Sequence, residues 1–300
     1  SAIDWLWQMT DPVTGDAPNL GANDGAQLIQ LADSDYRDFR PSVQLASVLF
    51  QKMRVYIKEC DGILRWLRID VEKIPESETN RCSKLFKDGG YATFIGGTCS
   101  GILRFPKFCF RPSHADLMHL EIMDHGIPII RDSGTYSYNT GKKWLDYFPG
   151  IESHNTIQFD KSEPMPRLSR FLFGNWPTVE SIEWKTDVRG TFWSGVYRDY
   201  LGRKHSRKVQ LNERAWQIED NVSGFSVCAV LRWRLIPTDW VLDDNKLVSE
   251  KARIIIETEG TNIERMELVE GWESCYYNEK TELPVLEIEI AHPGTLHSRI

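Results

Sequence analysis

No stretch of this 300-residue chain approaches the roughly 18 consecutive apolar residues that a membrane-spanning helix needs, so no helical span is expected. Cysteine is sparse: Cys60, Cys82, Cys99, Cys109, Cys228 and Cys275 lie far apart with no CxxC pair. That density is too low for a disulfide scaffold, and buried free thiols are the expectation. Positive charge is gathered nowhere; the net charge of −7 is spread along the chain. A nucleic-acid partner wants a basic stripe, so none is expected. The same balance offers no global attraction for an anionic polysaccharide, which needs a local basic groove instead. Internal repeats and low-complexity tracts are absent, and the N-terminus carries no signal-peptide pattern. Its opening, DWLWQMTDPVTGD, reads as the middle of a longer protein.

What is present is the composition of a globular protein, 41% hydrophobic and 26% charged, long enough for one large domain or two ordinary ones. Aromatic residues are plentiful, with 11 Trp, 10 Tyr and 13 Phe. Such rings stack on sugars, but they also fill β-sandwich cores, and the core is their commoner place. Residues 1–70 read as helix and loop. Gly, Pro, Asn and Asp crowd the stretch from Pro12 to Gly25, a surface loop. After Pro41, which suits a first helical turn, Val43, Leu45, Val48, Leu49, Met53 and Ile57 recur near a helical period. A second short helix is expected over Ile63–Ile69, and the polar stretch 71–88 reads as a linker or crossing loop.

From Gly89 onward the pattern becomes short β-runs with turn punctuation: YATFIGG, GILRFPKFCF, DLMHLEIM and IPIIRD. Further strands are expected at Asn155–Phe159, Ser181–Lys185, Thr191–Tyr200, Ser206–Leu211, Ala215–Asp220, Val227–Leu235, Lys251–Thr258 and Val285–Ala291. The expected fold is mainly β, a large antiparallel β-sandwich over 89–300 preceded by a short α-helical segment over 1–88.

Chemistry concentrates between Pro112 and Asp160, where PSHADLMHLEIMDHGIPIIRDSGTYSYN is followed by SHNTIQFD. His114, Asp116, His119, Asp132 and His154 fall there on what read as consecutive strands, and imidazole with carboxylate suits zinc and similar divalent ions. Alternation puts Asp116 on the strand face of His114 and His119 on the opposite face. If Asp124-His125-Gly126 is a hairpin tip, simple register sets Asp132 opposite Met118, four residues and roughly 13 Å from His114 along a strand. A bulge or a bend is then needed to unite them. A structural reading competes: Asp132-Ser133-Gly134 as a turn with Asp132 capping backbone amides, and His154-Asn155 as a hydrogen-bonded corner between strands. Spacing leaves both open.

The same residues carry a likeness. HAD before an apolar run, IIRDSGTYSYN, SHNTIQFD and MPRLSRFLFG resemble the C-terminal half of heparinase II/III-type polysaccharide lyases, especially bacterial members found beside capsule or exopolysaccharide genes. Pro18–Leu31 and Asp35–Phe50 resemble the segment that ends those proteins' helical domain. The resemblance implies that 1–88 is the remnant of an α/α toroid. It also implies a divalent cation, Zn2+ or similar, on His114, Asp132 and His154, holding the site's architecture rather than performing the chemistry. Asp116 would accept the second imidazole N–H, as carboxylates around metal sites do. The implied partners are an anionic, uronic-acid-containing polysaccharide and the rest of the toroid, and the implied location is the periplasm or cell envelope. Tyr136, Tyr138, Asn139, Arg167 and Arg170 are candidate sugar contacts, with Asn19, Asn23 and Asp24 facing the cleft. For His119, His125, His205, His292 and His297 ordinary structural roles are expected.

The implied reaction is β-elimination: a base removes the C5 proton of a uronate, the carboxylate is neutralised, and the glycosidic oxygen leaves from C4. In the family the Tyr and one His come from the toroid. Some members also have H-x-H-x-D, whose first His contributes to catalysis; here that position is Pro112. No catalytic residue is therefore assigned within this chain, and the isolated chain is expected to be inactive. Two rival readings stand beside the lyase: a non-catalytic carbohydrate-binding or scaffolding module of polysaccharide assembly, and a uronyl C5-epimerase-like protein.

Overall fold

The computed structural model describes residues 1–27, 30–56, 58–77, 80–108 and 110–300. Contacts divide the chain into two units, one of Ser1–Pro18 with Gly25–Cys82, the other of Asn19–Asp24 with Ser83–Ile300.

The smaller unit is helical. Ser1 caps helix Ala2–Met9 by accepting from the Asp4 N–H at 3.2 Å. Helix Arg40–Gln51 carries Pro41 in its first turn and ends where Lys52 turns left-handed at φ 60°. Met53 therefore lies beyond the helix, and Ile57 lies outside the described residues. The next helix is Gly62–Trp66, shorter than the expected Ile63–Ile69. Val48, Leu64 and Val71 make a small core. Beside it the buried Gln44 donates to Asp61 Oδ1 at 2.8 Å and accepts from the Val55 and Tyr56 N–H groups. Part of the expected linker is ordered: Val71–Lys73 is a 3-10 turn, and Glu76 pairs with Arg54.

In the larger unit the ladders are antiparallel. One sheet has five strands in chain order: Lys84–Phe86, Tyr91–Gly96, Cys99–Arg104, Leu120–Asp124 and Ile127–Ile130. The eight-stranded sheet runs Val241–Asp243, Lys246–Val248, Arg253–Glu259, Gly294–Arg299, Ala215–Ser223, Lys204–Asn212, Gly190–Arg198, Glu180–Asp187. A four-stranded sheet orders Arg265–Glu273, Thr281–Ile290, Ala229–Arg234 and Ile157–Phe159, and Arg167–Ser169 pairs with Leu172–Phe173 as a small hairpin. Alternation decides which side chains go inside: Gly190–Arg198 buries Thr191, Trp193, Gly195 and Tyr197. All three large sheets feed one apolar core, for example Phe94 and Leu103, Trp193 and Trp216, Leu231 and Ile288. Phe94 lies 5.5 Å from Trp216 between ring centroids. Gly101 permits that approach, because a Cβ there would stand 2.3 Å from the Trp216 ring.

The mainly antiparallel β-sandwich expected from the sequence is what forms. Two substantial strands, Arg265–Glu273 and Gly294–Arg299, escape the pattern reading. RMELVEGWE carries acidic residues through its length, and the partner strand Thr281–Ile290 contains a proline, Pro284, opposite Glu270. Arg265 holds this edge together by pairing with Glu267, Glu287 and Glu289. None of the described cysteines Cys60, Cys82, Cys99, Cys228 and Cys275 is in a disulfide, but Cys82 is exposed and Cys275 only half-buried, against the expectation of burial; Cys109 lies outside the described residues. Among the described residues no helix is long and apolar enough to cross a membrane.

Candidate metal centre

Three loop segments of the larger unit, none of them inside a strand, bring His114, Asp132 and His154 together. The expected strand through HAD does not form; the strand starts at Leu120, and Met118 takes a left-handed φ of 56°. The hairpin does carry a bulge, with Ile122 opposite Ile130 but Met123 opposite Pro128. That bulge slides Asp132 toward Leu120, away from His114, so the fold back at Leu117–Met118 is what closes the gap. The Ala115 N–H donates to Pro149 O at 2.8 Å, which ties the His114 segment to the chain leading into His154.

Asp132 stands just past the strand Ile127–Ile130, in a tight turn. Its Oδ1 accepts from the Gly134 N–H at 2.7 Å, leaving Oδ2 to face the imidazoles. Gly134 has φ 72°, and a Cβ there would lie 2.2 Å from Asn19 Nδ2 and 2.3 Å from Ser274 O. His154 follows the 3-10 turn Ile151–Ser153, pinned by Ser153 Oγ to Phe148 O and Gly150 O at 2.7 Å each. The next residue, Asn155, is the expected corner. Its Nδ2 donates to Leu120 O and Arg131 O, and its Oδ1 accepts from the Arg234 N–H. The structural reading thus holds at Asn155 and at Asp132, which caps the Gly134 N–H, while His154 is left to serve the other.

One candidate ligand atom from each of His114, Asp132 and His154 lies within 4.8 Å of the others, and all three side chains are buried. His154 Nδ1 is 2.8 Å from Asp132 Oδ2. His154 Nε2 and His114 Nδ1 are buried with no hydrogen-bond partner. Burial pushes Asp132 upward, yet the surrounding imidazoles, His154 first, outweigh it and hold the carboxyl well below its usual range. Burial, reinforced by His154, pushes His114 down to about 4, and burial likewise takes His119 to about 4. At neutral pH Asp132 is an anionic carboxylate and His114 and His119 are neutral, the state in which such groups ligate metal.

His119 belongs to this cluster, which sequence reasoning missed by placing it on an opposite strand face. Its Nδ1 accepts from the Asn155 N–H at 2.9 Å, so its proton sits on Nε2, 3.3 Å from Asp132 Oδ2. It therefore backs the carboxylate and offers no lone pair on that side. Asp116 departs from its expected role. It lies on a loop, its Oδ2 accepts from Arg104 Nε, and neither its Oδ1 nor His114 Nδ1 has a hydrogen-bond partner. His125 is exposed at the hairpin tip, with a φ of 50°.

His114 borders a cavity of about 250 Å³ lined by Tyr138, Trp144 and Phe171 and by Arg111, Arg167 and Arg170. Of the expected sugar contacts, Tyr138, Arg167 and Arg170 line it, while Asn139 stands at the surface and accepts from Arg170 at 3.3 Å. Arg167 is largely committed to its own hairpin, donating to Ser169 O and Arg170 O. Tyr136 packs on Phe148 and Trp144 away from the cavity wall. Asn19 clamps Ser274 O at 2.6 Å, and Asn23 donates its backbone N–H to Thr135 Oγ1, so these two residues secure the Asp132 turn instead of lining the cavity. Arg111 and Phe171 were not singled out in the sequence; their adjacency to PSH and MPRLSR was the available signal.

Comparison with known proteins agrees with the fold. The family model described as heparinase II/III-like, C-terminal, matches residues 78–295. A search of curated proteins finds no match. Among solved structures, a heparinase III described as the BT4657 gene product superposes with a TM-score of 0.73 at 15% identity, covering 97% of this chain and 44% of that one. The heparan sulfate lyase HepC from Pedobacter heparinus gives a TM-score of 0.71 at 17% identity over 99% of this chain and 45% of that one. A further heparinase III gives 0.70 at 17% identity, over 100% and 47%. The chain thus spans less than half the length of these structures.

Proposed function

Because this chain belongs to the family of heparinase II/III-like C-terminal domains, we propose that it is the sandwich part of a polysaccharide lyase whose cleft is braced by a divalent cation on His114, Asp132 and His154. The observation that carries this reading is the buried cluster itself, opening through His114 onto an aromatic cavity rimmed by arginine. Two partnerless buried imidazole nitrogens beside a carboxylate fit zinc, which takes nitrogen and oxygen ligands and accepts three protein ligands with one position open. Bound there, the ion supplies fixed positive charge and ties three loops together.

The protein's own side chains supply the rest of the proposed role. Arg111 and Arg170 neutralise a uronate carboxylate at the cavity mouth, where guanidinium matches carboxylate geometry. Tyr138, Trp144 and Phe171 offer apolar faces to sugar rings and keep water from the cavity. Removal of the C5 proton and protonation of O4 are assigned to the toroid that the longer relatives carry, since Pro112 stands where some members have a histidine. The chain alone is then a binding wall without its base.

The names of the solved neighbours make heparan sulfate the first polymer to try. Ultraviolet absorbance of unsaturated uronates should stay flat with the 300-residue chain, while metal analysis of the dialysed protein should find zinc. Robust absorbance, or a chain that retains no divalent ion, overturns the corresponding half. Pro112 favours one alternative, a non-catalytic carbohydrate-binding module; a full reading frame with no toroid would select it.

A further inference from the structure

Below the candidate metal centre a second charged group is sealed in the core. Arg207 and Asp220 are register partners on neighbouring strands and are both fully buried. Their contact is a two-point fork, Nε to Oδ1 at 2.6 Å and Nη2 to Oδ2 at 3.0 Å. His205 Nε2 adds a third contact to Asp220 at 2.7 Å, and the guanidinium lies over the Trp233 ring at 5.3 Å. The remaining nitrogen of Arg207, Nη1, donates to two carbonyls far apart in sequence, Met118 O and Asn155 O.

Those two carbonyls are informative. Met118 directly precedes His119, the imidazole that backs Asp132, and Asn155 directly follows His154. The same two segments are cross-linked by Asn155 N–H to His119 Nδ1 at 2.9 Å and by Thr156 Oγ1 to Leu117 O at 2.8 Å. Met118 holds a left-handed φ, a conformation that a non-glycine residue keeps only when its surroundings impose it. A single nitrogen fixed from below thus clamps the backbone on which two of the cluster's imidazoles stand.

Resting on the metal reading above, we propose that Arg207, oriented by Asp220, is a positioning residue of the metal centre: it touches no ligand atom but sets the Met118–His119 and His154–Asn155 backbones at the spacing a cation requires. A guanidinium is needed, because a lysine ammonium cannot grip Asp220 at two points and two carbonyls at once.

The test uses the 300-residue chain, zinc as probe, chelator competition for affinity and thermal melting of the metal-free protein as the fold control. Three variants are compared: Arg207→Lys, the charge-free pair Arg207→Met with Asp220→Leu, and His154→Ala as a ligand control. The charge-free pair is included because removing both partners of a buried ion pair is often neutral for stability, whereas removing one is not. The expected result is a folded charge-free pair that binds zinc about ten- to a hundredfold more weakly than wild type, the size seen when groups behind metal ligands are removed. Arg207→Lys is expected to fall with it, and His154→Ala to lose binding outright. Wild-type affinity in the folded charge-free pair overturns the positioning role alone. Failure of that pair to fold also overturns it, since the charges would then serve the core and not the site. A wild-type chain that binds no zinc overturns the metal reading and this inference together.

Discussion

Two clusters of buried charge lie within the same β unit, and they differ in how completely they satisfy themselves. Around Asp220, both carboxylate oxygens and all three guanidinium nitrogens of Arg207 are hydrogen-bonded; only His205 Nδ1 lacks a partner. Arg207 holds Asp220 down to about 2 despite burial. Around Asp132, by contrast, His114 Nδ1, His119 Nε2 and His154 Nε2 are all buried without hydrogen-bond partners. A stranded polar atom in the interior costs about 1–3 kcal/mol, so a group of them persists only where something else compensates. The Asp220 group is thus nearly closed on itself, whereas His114 Nδ1 and His154 Nε2 are the stranded atoms that the proposed ion would satisfy.

The sharpest way to break that contrast is to delete a ligand. Asp132→Asn or His154→Ala should take retained zinc from about one ion per chain to none, measured by elemental analysis after dialysis; unchanged zinc content would dissolve the distinction between the clusters. Zinc addition comes next. At free ion about a hundredfold above the dissociation constant, binding to the folded state alone adds about 2.7 kcal/mol, or about 5–10 °C in melting temperature for a domain of this size. A melt unmoved by zinc would leave the stranded nitrogens without an explanation.

Acid should separate native and unfolded chains in a defined window. His114 and His119 sit at about 4 in the fold against 6.5 ordinarily, so between those values the unfolded chain binds more protons. Stability of the metal-free protein therefore falls as pH drops from 6.5 toward 4, read as a falling urea midpoint; a flat profile would mean that these imidazoles are hydrated.

The smallest effect concerns Glu163, whose carboxylate accepts from the Ile151 N–H at 3.0 Å, three residues before His154. Burial raises it to about 7 from 4.5. Here the folded state binds more protons between 4.5 and 7, so stability is lost as pH rises through that window. Glu163→Gln keeps an acceptor for Ile151 and should raise the melting temperature at pH 8 by a few degrees, with no gain at pH 4. Equal gains at both pH values would point to packing instead of charge.

Much of the larger unit was legible because a sheet with one face in the core writes its alternation into the chain, as the buried Trp193 and Tyr197 do in Gly190–Arg198. The acidic strand Arg265–Glu273 was not legible, since its outward residues are chosen by cross-strand partners such as Arg265 with Glu287. The trio His114, Asp132 and His154 was found through its likeness to a family; register argument alone pulled Asp132 the wrong way.

By itself, then, the order of residues determined the mainly β class, the approximate strand positions, the family and the identity of the clustered imidazoles and carboxylate. Tertiary structure alone decided that HAD is a loop and not a strand, that His119 stands behind Asp132, that Asp116 serves Arg104, and that Arg207 grips Met118 and Asn155. The physical reason is one of range. Periodicity and turn chemistry act over a few residues, whereas a buried guanidinium chooses its carbonyls across separations of 89 and 52 residues, where only the packed core brings them within reach.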